Sequence, residues 1–408
     1  MKNPQIQFSS SSEGWNISSY NEIGENFKYG LSVPAIPFDG ENKYLRITDI
    51  DDDTRIFDMK NLSSPGTDLS LANEYILTEG DITFARTGAS VGKSYLYDAK
   101  DGKIYFAGFL IKIGIKKNVC ASFIFQNSLT NNFKRYINLV SQRSGQPGIN
   151  IKELQAYKLY IPKTLEEQQK IASYFKSLDS LIQTTSKKLV SLKQIKDASL
   201  QSMFPQEGET VPKVRFKGFE GEWEKEKLSK LLVERHEIST ITDKLPQLSF
   251  TISEGIIYPD DRKSNKRDFL IKDIVNKKYL TTYVGDIIYN PANVIYGAIH
   301  RNSLCNGVVS PIYKIFSTEQ DSNFMECIVR NPTFISQLSM KTEGTVTKLK
   351  TLKPESFLEM IVKIAPSINE QQKITSYFCN LDKQISLQAQ RLEKLKQIKS
   401  ACLDKMFV

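Results

Sequence analysis

The sequence predicts an α+β protein in which two related mixed α/β domains are separated by two long antiparallel coiled-coil helices. Two observations lead to this prediction: a long stretch occurs twice, and both copies carry the apolar spacing of a coiled coil. The predicted segments are A1 (residues 1–163), B1 (164–205), a linker (206–211), A2 (212–366) and B2 (367–408).

The duplication is clearest in the B segments. Residues 167–204 and 370–407 align without a gap and are identical at more than half of their positions. Weaker matches continue in the A segments, where "GDITF" at 80–84 corresponds to "GDIIY" at 285–289. The B segments are therefore close copies, whereas the interiors of the A segments have diverged.

Each B segment predicts one long helix. Its seam positions alternate in steps of four and three residues, which is the spacing of a coiled coil. The seams consist of Ile171, Phe175, Leu178, Ile182, Thr185, Leu189 and Leu192 in B1, and of Ile374, Phe378, Leu381, Ile385, Gln388, Leu392 and Leu395 in B2. Thr164 with Glu167, and Ser367 with Glu370, predict capping boxes at the two helix starts, and Pro205 ends the first helix.

Two equal helices with apolar stripes in one chain are expected to pair with each other. The intervening A2 makes an antiparallel pair easy to connect and would place A1 and A2 at opposite ends. At 1.5 Å per residue, about 37 residues span roughly 55 Å. The alternatives are that each helix packs on its own A segment or pairs with another chain.

Each A segment predicts a twisted sheet with one main helix. The strand-like runs are 43–50, 80–86, 93–99 and 103–115 in A1, and 247–259, 286–292 and 307–316 in A2. The predicted helices are 121–142 and 321–340, and each is followed by a glycine-containing loop, at 143–150 and 341–350.

The composition favours a polyanionic partner only modestly. The 408 residues include 55 basic and 46 acidic side chains, a net charge of +9. The N-terminus lacks the apolar core of a signal peptide, and no stretch is apolar enough to span a membrane, so a cytoplasmic protein is expected. Two histidines and five scattered cysteines predict no metal site.

Two stretches partly match known enzymatic motifs, but neither match is complete. Residues 84–94, "FARTGASVGKS", nearly match the Walker A loop, but Gly88 comes one position late and "SYLYDAK" predicts a strand where a helix is required. "YNPANV" at 289–294 lacks the second proline and the aromatic ring of the amino-methyltransferase motif. No serine elbow or His-Glu metal pattern is present, so no catalytic residue is predicted.

Together these features resemble the specificity subunits of type I restriction-modification systems. The resemblance covers essentially the whole chain. It rests on the doubled "EQQKI", on "LKQIK" ahead of "MF" in both B segments, on "FKGFEGEW" at 216–223 and on "SGQPGIN" at 144–150. One departure is "SSSS" at 9–12, where "KGFE" stands at 217–220.

The resemblance implies a non-catalytic subunit with two target recognition domains, A1 and A2. Each domain would read one half of a bipartite site on double-stranded DNA. The helices would set the spacer between the halves and dock two methyltransferase subunits, and separate motor-nuclease subunits would complete the complex. S-adenosylmethionine, ATP and Mg²⁺ would be bound by those partners, and this chain would hold no cofactor.

Loops beside the sheets are the expected DNA readers, because basic and hydroxyl groups bind phosphates and Arg, Asn and Gln bind base edges. The candidates in A1 are Arg86, Thr87, Ser90, Lys93, Arg143, Ser144, Gln146 and Asn150. The candidates in A2 are Asn290, Asn293, Tyr296, Arg301, Lys341, Thr342, Thr345, Thr347 and Lys348.

Two other kinds of protein remain as alternatives at this stage. A stand-alone DNA-modifying enzyme would methylate or cleave DNA without partners, and a coiled-coil scaffold would bind no DNA.

Overall fold

The computed structural model describes residues 4–6, 14–143, 145–262, 278–342 and 351–407. The chain forms two compact units. Unit 1 comprises residues 1–189 and 387–408, and unit 2 comprises residues 190–386. Each unit therefore combines one A segment with the adjoining part of one long helix and the remote part of the other.

A1 is built from short strands and short helices, and the first long helix follows it. The strands are β1 (Asn16–Ser19), β2 (Gly24–Tyr29), β3 (Ala35–Pro37), β4 (Lys43–Leu45), β5 (Ser63–Pro65), β6 (Asp81–Ala85), β7 (Ser94–Leu96), β8 (Ile104–Phe106), β9 (Leu110–Ile115) and β10 (Lys158–Ile161). The helices are α1 (Tyr20–Ile23), α2 (Ala121–Asn127), α3 (Asn131–Val140), α4 (Ile151–Gln155) and the long α5 (Leu165–Ser202).

A2 has the same kind of construction and is followed by the second long helix. The strands are β11 (Glu224–Lys227), β12 (Val233–Glu234), β13 (Ile238–Ser239), β14 (Ser249–Thr251), β15 (Gly255–Ile257), β16 (Tyr279–Thr282), β17 (Ile287–Tyr289), β18 (Ile299–Arg301), β19 (Gly307–Val309), β20 (Lys314–Ser317) and β21 (Ile361–Ile364). The helices are α6 (Leu228–Leu231), α7 (Ser322–Val329), α8 (Pro332–Ser339), α9 (Pro354–Leu358) and the long α10 (Ile368–Met406).

The duplication extends to the sheets of the diverged A segments. The central sheet of A1 has the strand order β2-β9-β6-β7, and that of A2 has the order β12-β20-β17-β18. In both, the first and last strands of the segment form a separate antiparallel pair, β1 with β10 and β11 with β21. The scaffold is thus repeated although most of its residues differ.

The prediction of one sheet and one main helix per A segment is wrong. The strands fall into several small sheets, and each predicted helix is split in two, as α2 and α3 or as α7 and α8. New caps start the second helices: the Thr130 hydroxyl accepts the Phe133 N–H at 3.2 Å, and the Asn331 amide oxygen accepts the Thr333 N–H at 2.9 Å. Such caps satisfy backbone groups at a helix start.

The long helices start where the sequence predicts, but neither capping box is complete. The Thr164 hydroxyl accepts the Glu167 N–H at 3.3 Å. The glutamates do not point back to the cap: Glu167 accepts the Trp15 indole N–H at 3.2 Å, and Glu370 binds Arg215 at 2.7 and 2.8 Å. Tertiary partners have replaced the local contact.

The two long helices run antiparallel, as predicted. In unit 1, Leu178 and Ile182 of α5 pack with Leu392 and Leu395 near the end of α10. In unit 2, Leu192 near the end of α5 shares a core with the first turns of α10. Early residues of each helix therefore meet late residues of the other.

The outer seam residues pack into the A segments as well as between the helices. Ile171 and Phe175 lie in the core of A1 together with Leu403, Met406 and Phe407 of B2. Ile374, Phe378 and Leu381 lie in the core of A2, with Ile385 packed against it. The seam thus combines two of the predicted arrangements: the helices pack on each other and on the A segments.

A glutamine in each long helix joins it to the A segment. The Gln168 amide donates to the Pro162 carbonyl at 3.0 Å and accepts the Cys120 N–H, ahead of α2, at 2.9 Å. Gln371 repeats both bonds with Ala365 and Asp321 at 2.8 and 3.1 Å. Both glutamines are buried, so their bonds fix the short helices on the long ones.

Candidate nucleic-acid interface

The two loops predicted to read DNA in A1 lie side by side at the end of β6. The Arg86 carbonyl accepts the Ile149 N–H at 2.8 Å, and the Gly88 N–H donates to the Pro147 carbonyl at 2.9 Å. Thr87 and Gly148 form an isolated β-bridge. Loops that are about sixty residues apart in the sequence therefore make one surface, which we call the A1 reading surface (86–93 and 145–150).

Arg86 is held in a defined orientation on this surface. Its guanidinium carbon lies 4.5 Å from the centroid of the Tyr29 ring, and Nη1 donates to the Gly108 carbonyl at 3.5 Å. The side chain is half-buried. An arginine that stacks on a tyrosine keeps its planar fork of donors, which is the group that binds guanine O6 and N7 in pairs.

Lys93 is not placed to bind a phosphate. Its side chain is 7% exposed, and Nζ lies 2.6 Å from Asp52 Oδ1 and 3.4 Å from the Ile47 carbonyl. The Lys93 ammonium lowers the pKa of the Asp52 carboxyl from its ordinary value. Strand β7 follows Lys93 directly, so the Walker-like letters do not form a nucleotide loop.

The other A1 candidates divide between exposed groups and groups that shape the loop. Gln146 is exposed, and Ser90 is half-buried. Arg143 donates to the Val140 and Gln142 carbonyls at 2.7 and 2.9 Å and pairs with Glu153. Asn150 caps α4 by accepting the Glu153 N–H at 2.9 Å. Ser144 lies outside the described residues.

The equivalent loop of A2 connects β17 to β18. Gly92 and Gly297 occupy the same place before the returning strand, with φ values of +81° and +86°. The Leu352 N–H donates to the Pro291 carbonyl at 3.0 Å, which repeats the bond from Ile149 to Arg86. Pro291 therefore stands where A1 has Arg86, and the two loops carry different side chains on the same backbone frame.

The A2 candidates also differ in what their side chains do. Tyr296 is 69% exposed, Lys341 is exposed and Asn293 is half-buried. The remaining described candidates have protein partners: Asn290 accepts the Ala292 N–H at 3.0 Å, Arg301 Nε lies 3.6 Å from Glu326, and the Thr342 hydroxyl donates to the Ser339 carbonyl at 2.9 Å. Thr345, Thr347 and Lys348 lie outside the described residues.

Comparison with known proteins identifies the family. Residues 12–194, which span most of A1 and B1, match the model of the type I restriction modification DNA specificity domain. This matched part of the chain belongs to the type I restriction-modification specificity family. A2 and B2 repeat the strand order and helices of A1 and B1, so the chain contains a second copy of the same arrangement.

One solved structure shares the fold of this chain. The S subunit of a type I restriction-modification system from M. genitalium aligns with 13% identity over 100% of this chain and 99% of that chain, at a TM-score of 0.64. The HsdS subunit from Thermoanaerobacter tengcongensis aligns with 13% identity over 97% of each chain, at a TM-score of 0.44. Within the described residues, no helix is long and apolar enough to cross a membrane.

A buried aspartate paired with a basic residue fixes the start of a central strand, β6 or β17, in each half of the chain. Asp81 accepts the Thr78 N–H at 2.9 Å and lies 3.3 Å from Lys112. The equivalent Asp286 accepts the Tyr283 N–H at 2.8 Å, and Arg235 binds it at 3.0 Å. The repeated "GDI" was visible in the sequence, but the basic partners, Lys112 on β9 and Arg235 just after β12, come from distant segments and were not predictable from spacing.

Gly92 and Gly297 give a matched test of how the reading loop is held. An added Cβ at Gly92 would lie 2.8 Å from Ile137 Cγ2, whereas at Gly297 it would meet nothing within 4 Å. We expect Gly297→Ala to cost about 1 kcal/mol for the left-handed backbone and Gly92→Ala to cost about 2 kcal/mol more for overpacking. Urea unfolding measures both, and equal losses would show that Ile137 does not position the loop.

Proposed function

We propose that this DNA specificity subunit reads a bipartite site, one part with A1 and the other with A2, and performs no catalysis itself. The observation that supports this proposal is that both halves share one backbone frame, whereas the side chains on the reading loop differ. Arg86 in A1 is replaced by Pro291 in A2. A fixed frame with exchanged side chains suits two readers of unlike sequences.

In A1 the base-reading groups would be Arg86, Thr87 and Gln146, because they lie on the two joined loops and their side chains do not cap a helix. In A2 we assign this role to Asn293, Tyr296 and Lys341. Asn and Gln suit adenine edges, and Lys suits guanine edges or phosphates. Lys93, Arg143 and Asn150 instead support the A1 loops.

The long helices would set the spacer and dock two methyltransferase subunits. Helix α5 has 38 residues, which corresponds to roughly 57 Å, and it exposes the apolar side chains of Leu181, Val190 and Ile195. A motor-nuclease subunit would join the same complex. The partners would supply S-adenosylmethionine, ATP and Mg²⁺ chemistry.

Coexpression with the cognate methyltransferase subunit, followed by methylation mapping, tests the proposal. The expected result is methylation at a split motif, and replacing A1 alone should change only one half of it. The purified chain alone should neither methylate nor cleave DNA. A continuous motif, or a motif that is unaffected by exchanging either A segment, would contradict the proposal.

Arg86→Ala tests the A1 reading surface. Losing a bidentate contact to a base should weaken binding of the target about tenfold, while assembly with the methyltransferase stays intact. Binding is measured by fluorescence anisotropy at one fixed salt concentration, because phosphate contacts make affinity salt-dependent. Lys225→Ala, which removes an exposed charge from β11, is the control; equal losses in both variants would mean that Arg86 contributes only charge.

A further inference from the structure

An exposed apolar side chain stands at the same turn in each half of the subunit. Phe109 is 64% exposed and Ile312 is 59% exposed. Each is the third residue of a β-turn, closed by the Leu110 N–H to the Ala107 carbonyl at 2.9 Å and by the Tyr313 N–H to the Ser310 carbonyl at 3.2 Å. The turns join β8 to β9 and β19 to β20.

Strand register shows that the two positions are equivalent. In A1, β6 and β9 pair Phe84 with Ile111, and in A2, β17 and β20 pair Tyr289 with Lys314. Phe84 and Tyr289 correspond in the duplicated sequence. Phe109 and Ile312 each lie two residues before the paired residue, so both halves present a large apolar group at one register position.

The turn lies directly beside the first reading loop. The Arg86 N–H donates to the Phe109 carbonyl at 2.9 Å, and the Gly108 carbonyl accepts from the Arg86 guanidinium. In A2 the residue across from Ile312 is Pro291, which has no N–H to donate. An apolar side chain therefore flanks the loop in both halves.

The backbone that carries Phe109 is fixed. The Gly108 N–H donates to the Leu31 carbonyl at 2.6 Å, and a Cβ at Gly108 would lie only 2.5 Å from Ser32 Oγ. The close packing of this turn holds the Phe109 side chain outward. Ordering this group on binding DNA would therefore cost little conformational entropy.

A single exposed apolar residue needs no explanation. Two at one register position, in segments whose interiors have otherwise diverged, indicate a shared role. DNA-binding proteins insert Phe, Leu, Ile or Met between base pairs and partly unstack them. A position beside a loop rich in donors suits such a wedge, because the loop holds the duplex while the apolar group enters it.

We propose that Phe109 and Ile312 are apolar wedges, each of which enters one base step of its half-site and unstacks it. The inference rests on the proposed DNA-reading function. It adds a source of specificity beyond base-edge contacts, because pyrimidine–purine steps unstack more easily than others. Each half-site would then contain one base step at which the protein favours sequences that unstack easily.

The test uses the assembled methyltransferase complex and its mapped target. A fluorescent base analogue is placed in turn at each position other than the methylated base. Binding should raise the fluorescence at one step in each half-site, and Phe109→Ala should abolish the rise in the A1 half only. Ile312→Ala should act only in the other half. Each variant should weaken target binding about tenfold, as for the loss of one stacked base.

Ile17→Ala and Val233→Ala are the controls, because both residues are exposed, at 56% and 69%, and lie on β1 and β12, away from the turns. They should change neither fluorescence nor affinity. Wild-type affinity in Phe109→Ala, or no unstacked step besides the methylated base, would overturn the wedge while leaving the reading function intact. Loss of the methyltransferase from the Phe109→Ala complex would instead show a protein contact. Failure of the wild-type complex to methylate a split site would contradict the proposed function itself.

Discussion

Phe407→Ala is expected to destabilise unit 1, although Phe407 lies at the other end of the sequence from A1. Its ring is 5% exposed, and its centroid lies 5.0 Å from that of Phe123, 5.8 Å from Phe175 and 6.4 Å from Trp15. Replacing a buried phenylalanine by alanine costs about 3–5 kcal/mol through lost transfer energy and a cavity. The end of B2 thus completes the core of A1.

Hydrogen exchange resolved by segment measures this effect, because it reports the opening of each unit separately. Protection should fall in A1 and remain unchanged in A2. Phe204→Ala is the matched variant: Phe204 packs on Trp223, Phe324 and Phe378 in unit 2, so protection should fall in A2 instead. Ile398→Ala, on an exposed position of α10, should change stability by less than about 0.5 kcal/mol.

Loss of protection in both units after Phe407→Ala would show that the two cores unfold together. No loss in A1 would show that the end of B2 does not stabilise it. Either result would contradict the assignment of Phe407 to the A1 core alone.

The features that sequence could predict are those with a local period or a repeat. The seven-residue spacing and the duplicated "EQQKI" predicted both long helices and their antiparallel pairing. The split of 121–142 into α2 and α3 was not predicted, because the apolar pattern continues across Thr130 and only the formed cap reveals the break. The basic partners of Asp81 and Asp286 were likewise not predictable, since they come from distant segments of the chain.

For the candidate site, the sequence selected two A1 loops that the structure brings together, but it did not predict the contacts of each side chain. Spacing could not show that Lys93 is buried against Asp52, because Asp52 approaches from a distant part of the chain. The Asn150 cap on α4 is local, and the spacing of Asn150 and Glu153 is the signal that could have revealed it. The turn that carries Phe109 was also missed, since an isolated apolar residue between two strands has no pattern. Strand register supplied what the sequence lacked.

Glu370→Gln is expected to destabilise unit 2 by about 3 kcal/mol, the usual cost of breaking a buried ion pair by removing one charge. Glu370 is 1% exposed, and the Arg215 side chain is 12% exposed. Two bonds of 2.7 and 2.8 Å join the guanidinium to the carboxylate, which is the paired geometry that makes such contacts strong. The amide would leave Arg215 without a countercharge in a poorly solvated place.

The duplicated copy provides the control. Glu167 occupies the position equivalent to Glu370, but it accepts the neutral Trp15 indole N–H at 3.2 Å, and the sequence equivalent of Arg215 is Gln7. A glutamine at 167 retains an acceptor oxygen for the indole. Glu167→Gln should therefore lower the free energy of unfolding by less than about 1 kcal/mol, measured by urea unfolding beside Glu370→Gln.

A double variant separates the value of the pair from the cost of leaving one charge alone. Arg215→Met with Glu370→Leu removes both charges, so it should recover most of the stability lost in Glu370→Gln. If the double variant is as unstable as the single one, the pair itself stabilises unit 2 and the unpaired guanidinium is not the cause. If Glu167→Gln and Glu370→Gln lower the free energy of unfolding equally, the ion pair at Glu370 contributes no more stability than the indole hydrogen bond at Glu167. The expected difference follows from one change between the copies: Arg215 binds the glutamate at the helix start in unit 2, and within the described residues the buried Trp223 indole N–H is then left without an acceptor.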